Sequence, residues 1–456
     1  MNKRRKKNQR KKHVVELAVV NPFAAGIDIS VSEFVVAIPD GIIPERVRTF
    51  GTMTSDLKEL SAWLKECDIT SVAMESTNVY WKPLFSHLLA EGFDLCLANA
   101  KVARNISGRK TDENDAMWIQ KLHTCGLLPS SYLPEGEQEA LRTLVRFRRS
   151  LVQDSSRFTN RIQKSLELMN IKFHTIISDI MGKSGRAVLD AILQGERNPE
   201  AFLPLLSSRM KASKETILKS LEGTWQKEHL FTLSMSYNLW KNFQLQIENV
   251  DVEIETYLQR YEAKTNDGLV EENREKQTHS ARDKKKEKNH PQANVREYLK
   301  RIHGVDVLAI YGLSDIGGLE LLSETGTNLS KWPTDSHFVS WLNLCPKTKI
   351  SGGKVLSSKL QKKKTNQASQ AFWQAANSIQ RSDHWLGDYF RRMKAKGGNK
   401  YAIVATANKM ARIYYRMVTE KVEFVPLDLK QYQSQYQKAK ISYLERKLQT
   451  LKNQAA

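Results

Sequence analysis

Residues 23 to 128 set short apolar runs between turn-forming residues in an order that few folds can use. FAAGIDIS and EFVVAIPD are parted by Val31 and Ser32, the pattern of two adjacent strands joined in a hairpin. RVRTFGT reads as a third strand, and SDLKELSAWLKEC follows at helical period with Ser55 as its expected N-cap. A strand (ITSVAME), a helix (YWKPLFSHLLAEG), a strand (FDLCLANA) and a helix opened by TDEND complete the run.

Three strands followed by alternating helix and strand is the element order of a ribonuclease-H-like α/β fold. The expected fold class is therefore α/β plus mostly α, because the remainder reads as helical. A basic tail over 1–22 precedes the α/β domain of 23–128, and a helical, coiled-coil domain spans 129–265. EQEALRTLVRFRRSLVQDSSRFTNRIQKSLELM and NLWKNFQLQIENVDVEIETYLQRYEAK place apolar residues at helical spacing. These two helices are expected to pair as an antiparallel coiled coil or to form a dimer interface. Their basic faces read as solvated or in contact with RNA or DNA. A charged linker or insertion occupies 266–296, a mostly helical C-terminal domain 297–425, and a polar helix 426–456.

The carboxylates of the α/β domain are placed selectively. Asp28 interrupts the apolar strand of GIDIS, Glu75 ends SVAME, and Asp112 and Asp115 open the last helix one turn apart. Each has an ordinary structural role when taken alone, as a turn residue, a strand-end charge or a cap complementing the helix dipole. In a ribonuclease-H-like sheet, however, the first and fourth strands are neighbours and the final helix crosses them. Four converging carboxylates repel unless divalent cations neutralise them, and Mg²⁺ or Mn²⁺ prefers such oxygen ligands while leaving positions open for phosphate oxygens. Arg109 and Lys110 then stand at the rim, where a DNA backbone approaches.

Charge points to the same partner. A formal net charge of +21, with 71 Lys+Arg against 50 Asp+Glu, calls for a polyanion, most simply nucleic acid. The tail MNKRRKKNQRKK supplies eight of the positive charges, so the bias belongs to the body as well. No apolar run approaches the roughly 20 residues of a membrane span, and the expectation is a soluble protein with no membrane partner. Cys67, Cys96, Cys125 and Cys345 lack the spacing of a zinc site or a disulfide framework and read as small buried residues.

In the second half, KTKISGGKVLSSK reads as a Gly/Ser/Lys-rich loop. Ser351 precedes two glycines, which let backbone amides approach an anion, and Lys347, Lys349 and Lys354 surround it. From the residues alone the segment is a flexible turn, or a loop whose serine attacks a phosphodiester. Ser357 and Ser358 are the alternative serines nearby, with no glycine following them.

The aspartate of GIDIS, the glutamate of AMEST and the two aspartates of RKTDENDA resemble the D-E-D-D signature of RuvC-like transposases of the insertion-sequence-110 family, DNA recombinases guided by a bridge RNA. The resemblance covers nearly the full chain. WLNLCPKTKISGGK fits the family's serine segment with Ser351 in the nucleophile position, and IHGVDVLAIYGLSDIGG resembles its helix-hairpin-helix segment. The resemblance implies a metal at Asp28, Glu75, Asp112 and Asp115, and a covalent 5′-phosphoserine intermediate on Ser351. It also implies double-stranded target and donor DNA and a structured non-coding guide RNA. The long helical middle that separates the two halves leaves a composite site assembled within one chain or between the subunits of a homo-oligomer, dimer or tetramer. A bacterial, nucleoid-associated, cytoplasmic setting goes with it. Two departures stand out: Gly304-Val305-Asp306 replaces the usual Gly-hydrophobic-Gly, and Asn343 replaces a glycine. Two other readings use the same residues, a metal-dependent hydrolytic nuclease such as a Holliday-junction resolvase and a non-catalytic nucleic-acid-binding scaffold.

Overall fold

A computed structural model describes residues 18–98, 112–134, 136–266, 289–291, 293–359 and 366–455. The chain divides into two units, 1–133 and 134–456.

In the first unit the strands are β1 (Ala24–Ile29), β2 (Phe34–Ala37), β3 (Val47–Phe50), β4 (Ser71–Glu75) and β5 (Asp94–Ala98), and the helices are α1 (Thr54–Glu66), α2 (Trp81–Ala90) and α3 (Asp112–Thr124). The sheet runs β3-β2-β1-β4-β5. β1 is antiparallel to β2 and parallel to β4, and β5 is parallel to β4. The first and fourth strands are therefore neighbours, and this mixed five-stranded sheet is consistent with the ribonuclease-H-like expectation.

Alternation along each strand sorts the sheet into two faces. Ala25, Ile27 and Ile29 of β1, with Val72 and Met74 of β4, join Leu57, Leu60 and Leu64 of α1 and Leu84 and Leu88 of α2 in one core. The opposite residues face α3: Ala73 packs with Ile119 and Leu122, and Val35 and Ala37 with Ala116. Both faces are covered, which is why β1 and β4 read as continuous apolar runs rather than as alternating ones.

The second unit opens with α4 (Glu137–Leu168), followed by α5 (Phe173–Ile176), α6 (Lys183–Leu193), α7 (Lys214–Leu221) and α8 (Lys227–Asn266). α4 and α8 run antiparallel, since Ser165 meets Thr232 at one end (3.2 Å between hydroxyls) and Arg148 meets Asp251 at the other. Between these ends Gln244 Nε2 donates to Ser155 Oγ at 2.8 Å, and Phe158 stacks on Phe243. Then come α9 (Val295–His303), α10 (Asp315–Thr325), α11 (Asp335–Trp341), strands β6 (Lys347–Ser351) and β7 (Lys354–Lys359), α12 (Gln367–Ser378), α13 (Trp385–Glu420) and α14 (Leu429–Ala455). α13 is two helical arms, because Gly397 and Gly398 leave helical geometry, with Gly398 at φ +79°.

Three expectations are corrected. The N-cap of α1 is Met53, not Ser55: the Asp56 carboxylate accepts the Met53 N–H at 2.9 Å, so the cap is made by the third-position side chain. The Gly/Ser/Lys-rich segment is not a loop but a hairpin, β6 antiparallel to β7. The basic face of α4 is in part turned inward. Arg146 makes a two-point contact with Glu324 (2.7 and 2.9 Å), Arg142 lies 3.2 Å from the same carboxylate, Arg149 donates to Glu320 at 3.0 Å, and Arg148 pairs with Asp251. Glu320, Glu324 and Asp251 are buried, and such charges require partners.

Candidate active site

Strand alternation fixes where the first two acids point. Gly26 and Asp28 share the β1 face that meets α3, because a Cβ built on Gly26 would lie 2.5 Å from the Ala116 carbonyl oxygen. Glu75 shares the β4 face of Ala73, which packs on the same helix. The parallel register pairs Ile27 with Met74, so Asp28 and Glu75 are cross-strand neighbours one step further on. Asp28 is half-buried and Glu75 is 9% exposed. Thr77 Oγ1 donates to Glu75 Oε1 at 3.3 Å.

The direction of α3 brings its first turn toward this end of the sheet. Its last turn is held at the start of the strands: the Val20 N–H donates to the Thr124 carbonyl (2.8 Å), Asn21 Nδ2 to the His123 carbonyl (2.8 Å), and His123 Nε2 lies 2.7 Å from Ser71 Oγ. The helix therefore runs against β1 and β4. From Gly26 to Asp28 the strand advances about 6.7 Å. Four residues back from Ala116 the helix recedes about 6 Å, to Asp112. Asp115 is half-buried, and Asp112 is the first helical residue, its side chain outside the described part. Arg109 and Lys110 also lie outside the described residues. Among the described residues, no three His, Cys, Asp or Glu side chains stand close enough to share a metal ion. The donors at Asp28, Glu75 and Asp115 are carboxylate oxygens, hard ligands that suit Mg²⁺ or Mn²⁺.

Ser351 belongs to the second unit and is the last residue of β6. Gly352 (φ +54°) and Gly353 (φ +73°) turn the chain into Lys354, its antiparallel partner. Two consecutive residues in the left-handed region make this a tight hairpin turn that favours glycine at both positions. Ser351, Lys349 and Lys354 are exposed, and Ser357 and Ser358 sit on β7, away from the turn. The side chain of Lys347 lies outside the described part.

Both departures from the family pattern have a structural account. Asn343 stands just past α11 with φ +57°, a conformation in which asparagine is the side chain best able to replace glycine. Gly304 caps α9 in the left-handed conformation, and the Asp306 carboxylate is paired with Arg296 (3.1 Å from Nε), so its charge is offset within the fold. The Asp306 N–H donates to the Glu423 carboxylate, so it is already engaged within the fold.

Sequence reasoning missed the ion pairs of α4. Arg142, Arg146 and Arg149 recur at helical spacing, as do Glu320 and Glu324 on α10, and that matching of charged rows was the available signal. His123, buried against Ser71, is held below its ordinary range by burial, an effect that Asp94 opposes. Among the described residues, no helix is long and apolar enough to cross a membrane.

The comparisons agree with this architecture. No curated protein matches the chain. Residues 25–171 match the transposase family of the DEDD, IS110 type, and residues 306–391 match the transposase family IS116/IS110/IS902. The first match contains all four acids, the second contains Ser351 and its hairpin, and together they span just over half of the chain. The chain belongs to the insertion-sequence-110 family of transposases.

Proposed function

We propose that this transposase cuts and rejoins duplex DNA through a covalent phosphoserine link on Ser351. The observation that carries the reading is the placement of that serine: exposed, at the turn of a two-stranded ribbon, with Gly352 and Gly353 beside it and Lys349 and Lys354 on the same segment. Ser351 Oγ forms a bond to phosphorus as the bond to the 3′-oxygen breaks. The serine proton ends on the released 3′-hydroxyl, and the 5′-phosphate stays on the protein. Attack by a new 3′-hydroxyl reverses these steps and returns the proton to the serine, so the bond energy is kept rather than lost to water.

Asp28, Glu75, Asp112 and Asp115 are assigned to holding Mg²⁺ or Mn²⁺, which supplies charge neutralisation at the phosphate oxygens when bound. Arg109, Lys110, Lys347, Lys349 and Lys354 are assigned to the DNA backbone. The excess positive charge supports a structured guide RNA as a further partner, with target and donor read by base pairing as in other RNA-guided systems. A homo-oligomer, a dimer or tetramer in the bacterial cytoplasm, completes the reading.

The test is to trap the link. The purified protein with its bound RNA, incubated with duplex carrying the ends of the mobile element, is expected to yield a protease-sensitive protein–DNA adduct that Ser351→Ala lacks. Clean hydrolysis by Ser351→Ala would instead establish a metal-activated water as the nucleophile, the resolvase-like chemistry.

A further inference from the structure

The hairpin that carries Ser351 has two unlike faces. β6 and β7 pair Ser351 with Lys354, Ile350 with Val355, then Lys349 with Ser357 and Thr348 with Ser358. Alternation puts Lys349, Ser351, Lys354 and Ser357 on one face and Thr348, Ile350, Val355 and Ser358 on the other. The 3.2 Å contact between the Thr348 and Ser358 hydroxyls agrees with that sorting. Leu356 is the extra residue where the register shifts, so it falls between the faces, next to Val355. Ile350, Val355 and Leu356 are 64, 60 and 69% exposed. Three neighbouring large apolar side chains left open on a two-stranded ribbon mark a contact surface.

Charge identifies the occupant. Between Asp335 and Asp383 the chain holds seven lysines and an arginine and no acid at all, so the ribbon is built to meet a polyanion. Shape narrows the choice further. A two-stranded ribbon fits the major groove of B-form DNA, about 12 Å wide, whereas the A-form major groove of RNA is too narrow for side chains to read. The groove floor presents thymine methyl groups, the natural contacts of apolar side chains.

We propose that the Ile350–Val355 face, extended by Leu356, seats on base edges in the major groove of duplex DNA, while Lys349 and Lys354 on the opposite face hold the flanking phosphates. This rests on the reading of Ser351 as the group that attacks DNA. Its consequence is a preference for thymine near the exchanged phosphate, set by the protein itself.

Thymine and uracil differ only in the 5-methyl group, which makes the test direct. The full-length protein, with whatever RNA it carries, is titrated against a short random-sequence duplex pool made with thymidine and against the same pool made with deoxyuridine. The wild type is expected to bind the thymidine pool about fourfold more tightly, the value of one buried methyl group. Val355→Ser/Leu356→Ser is expected to bind both pools alike with an unchanged salt slope. Lys349→Ala is expected to weaken both pools and lower the salt slope by about one. All three changes lie on exposed positions, and unchanged melting temperatures show that the variants fold. Equal binding of the two pools by the wild type overturns the proposal. So does a Val355→Ser/Leu356→Ser variant that keeps the preference, or one that loses co-purified RNA or changes oligomeric mass instead. Ser351→Ala separates the two readings: it keeps the thymine preference if the groove contact is right, even if it still rejoins DNA and so refutes the phosphoserine step.

Discussion

Gly26 of β1 stands against Gln120 of α3 with no room for a side chain: a Cβ there would lie 2.1 Å from the Gln120 backbone nitrogen. Its backbone is not in the left-handed region, so the requirement for glycine is one of close approach. This contact sets the distance between the strand that carries Asp28 and the helix that begins at Asp112. Gly26→Ala must lift the helix off the sheet, since the clash is with backbone and cannot be relieved by a rotamer. The expected loss is about 3 kcal/mol, the upper end for overpacking. Urea unfolding checks it, and a loss below about 1 kcal/mol would show that α3 is not fixed by this contact.

Arg148 and Asp251 tie α4 to α8 with almost no access to water, their side chains being 5 and 4% exposed. Removing one partner strands a buried charge. Arg148→Met is therefore expected to cost about 3–5 kcal/mol, while the double change Arg148→Met/Asp251→Leu is expected to recover most of it. Chemical unfolding of the two single variants and the double variant closes the cycle. Equal losses for the single and double variants would show that the pair contributes net stability beyond its own desolvation.

The contrast between these two contacts explains what the sequence disclosed. The sheet was legible because β1, β2, β4 and β5 are runs of buried residues set off by turns, and because element order leaves few ways to arrange them. The facing of Asp28 and Glu75 followed from period-two alternation once the strand order was known. The hairpin of Ser351 was hidden, since none of the described side chains of KTKISGGKVLSSK is buried. The inward turn of Arg146 and Arg149 was hidden for a different reason. Their partners Glu320 and Glu324 lie far along the chain, and a cation on a helix face looks the same whether it meets water or a buried carboxylate.

His303, the last residue of α9, is fully buried, and among the described residues neither ring nitrogen has a hydrogen-bond partner. Its ring meets Tyr414 edge-on at 6.0 Å, and Lys421 Nζ donates to its carbonyl at 2.8 Å. Burial, with the nearby charge of Lys421, pushes its pKa down to about 3. The imidazole is neutral in the fold but takes up a proton in the unfolded chain below about 6.5, so the unfolded state binds more protons in that window. The contribution of His303 to stability is complete above that pH and is lost as pH falls toward 3, by about 1.4 kcal/mol per unit. Between pH 7 and pH 5 the wild type is expected to lose about 2 kcal/mol more than His303→Phe. Parallel slopes for the two proteins in urea unfolding at both pH values would refute the assignment.

The proposed assignment of Asp28 and Glu75 to a metal predicts an unusual pairing of stability and metal response. Asp28 and Glu75 are cross-strand neighbours on one face, and like charges so placed destabilise a sheet. Neutralising one of them should therefore help the metal-free fold, while removing a ligand should harm metal binding. With chelator present, Glu75→Gln is expected to melt at or above the wild-type temperature. On addition of Mn²⁺ the wild type is expected to gain stability as binding to the folded state dictates, about 2.7 kcal/mol at a hundredfold excess over the dissociation constant. The variant is expected to gain little, and Mg²⁺ should act in the same direction. Thermal melts of both proteins with chelator and with each cation check the pairing. A wild type indifferent to both cations, or a Glu75→Gln protein that responds as the wild type does, would remove Glu75 from the metal set.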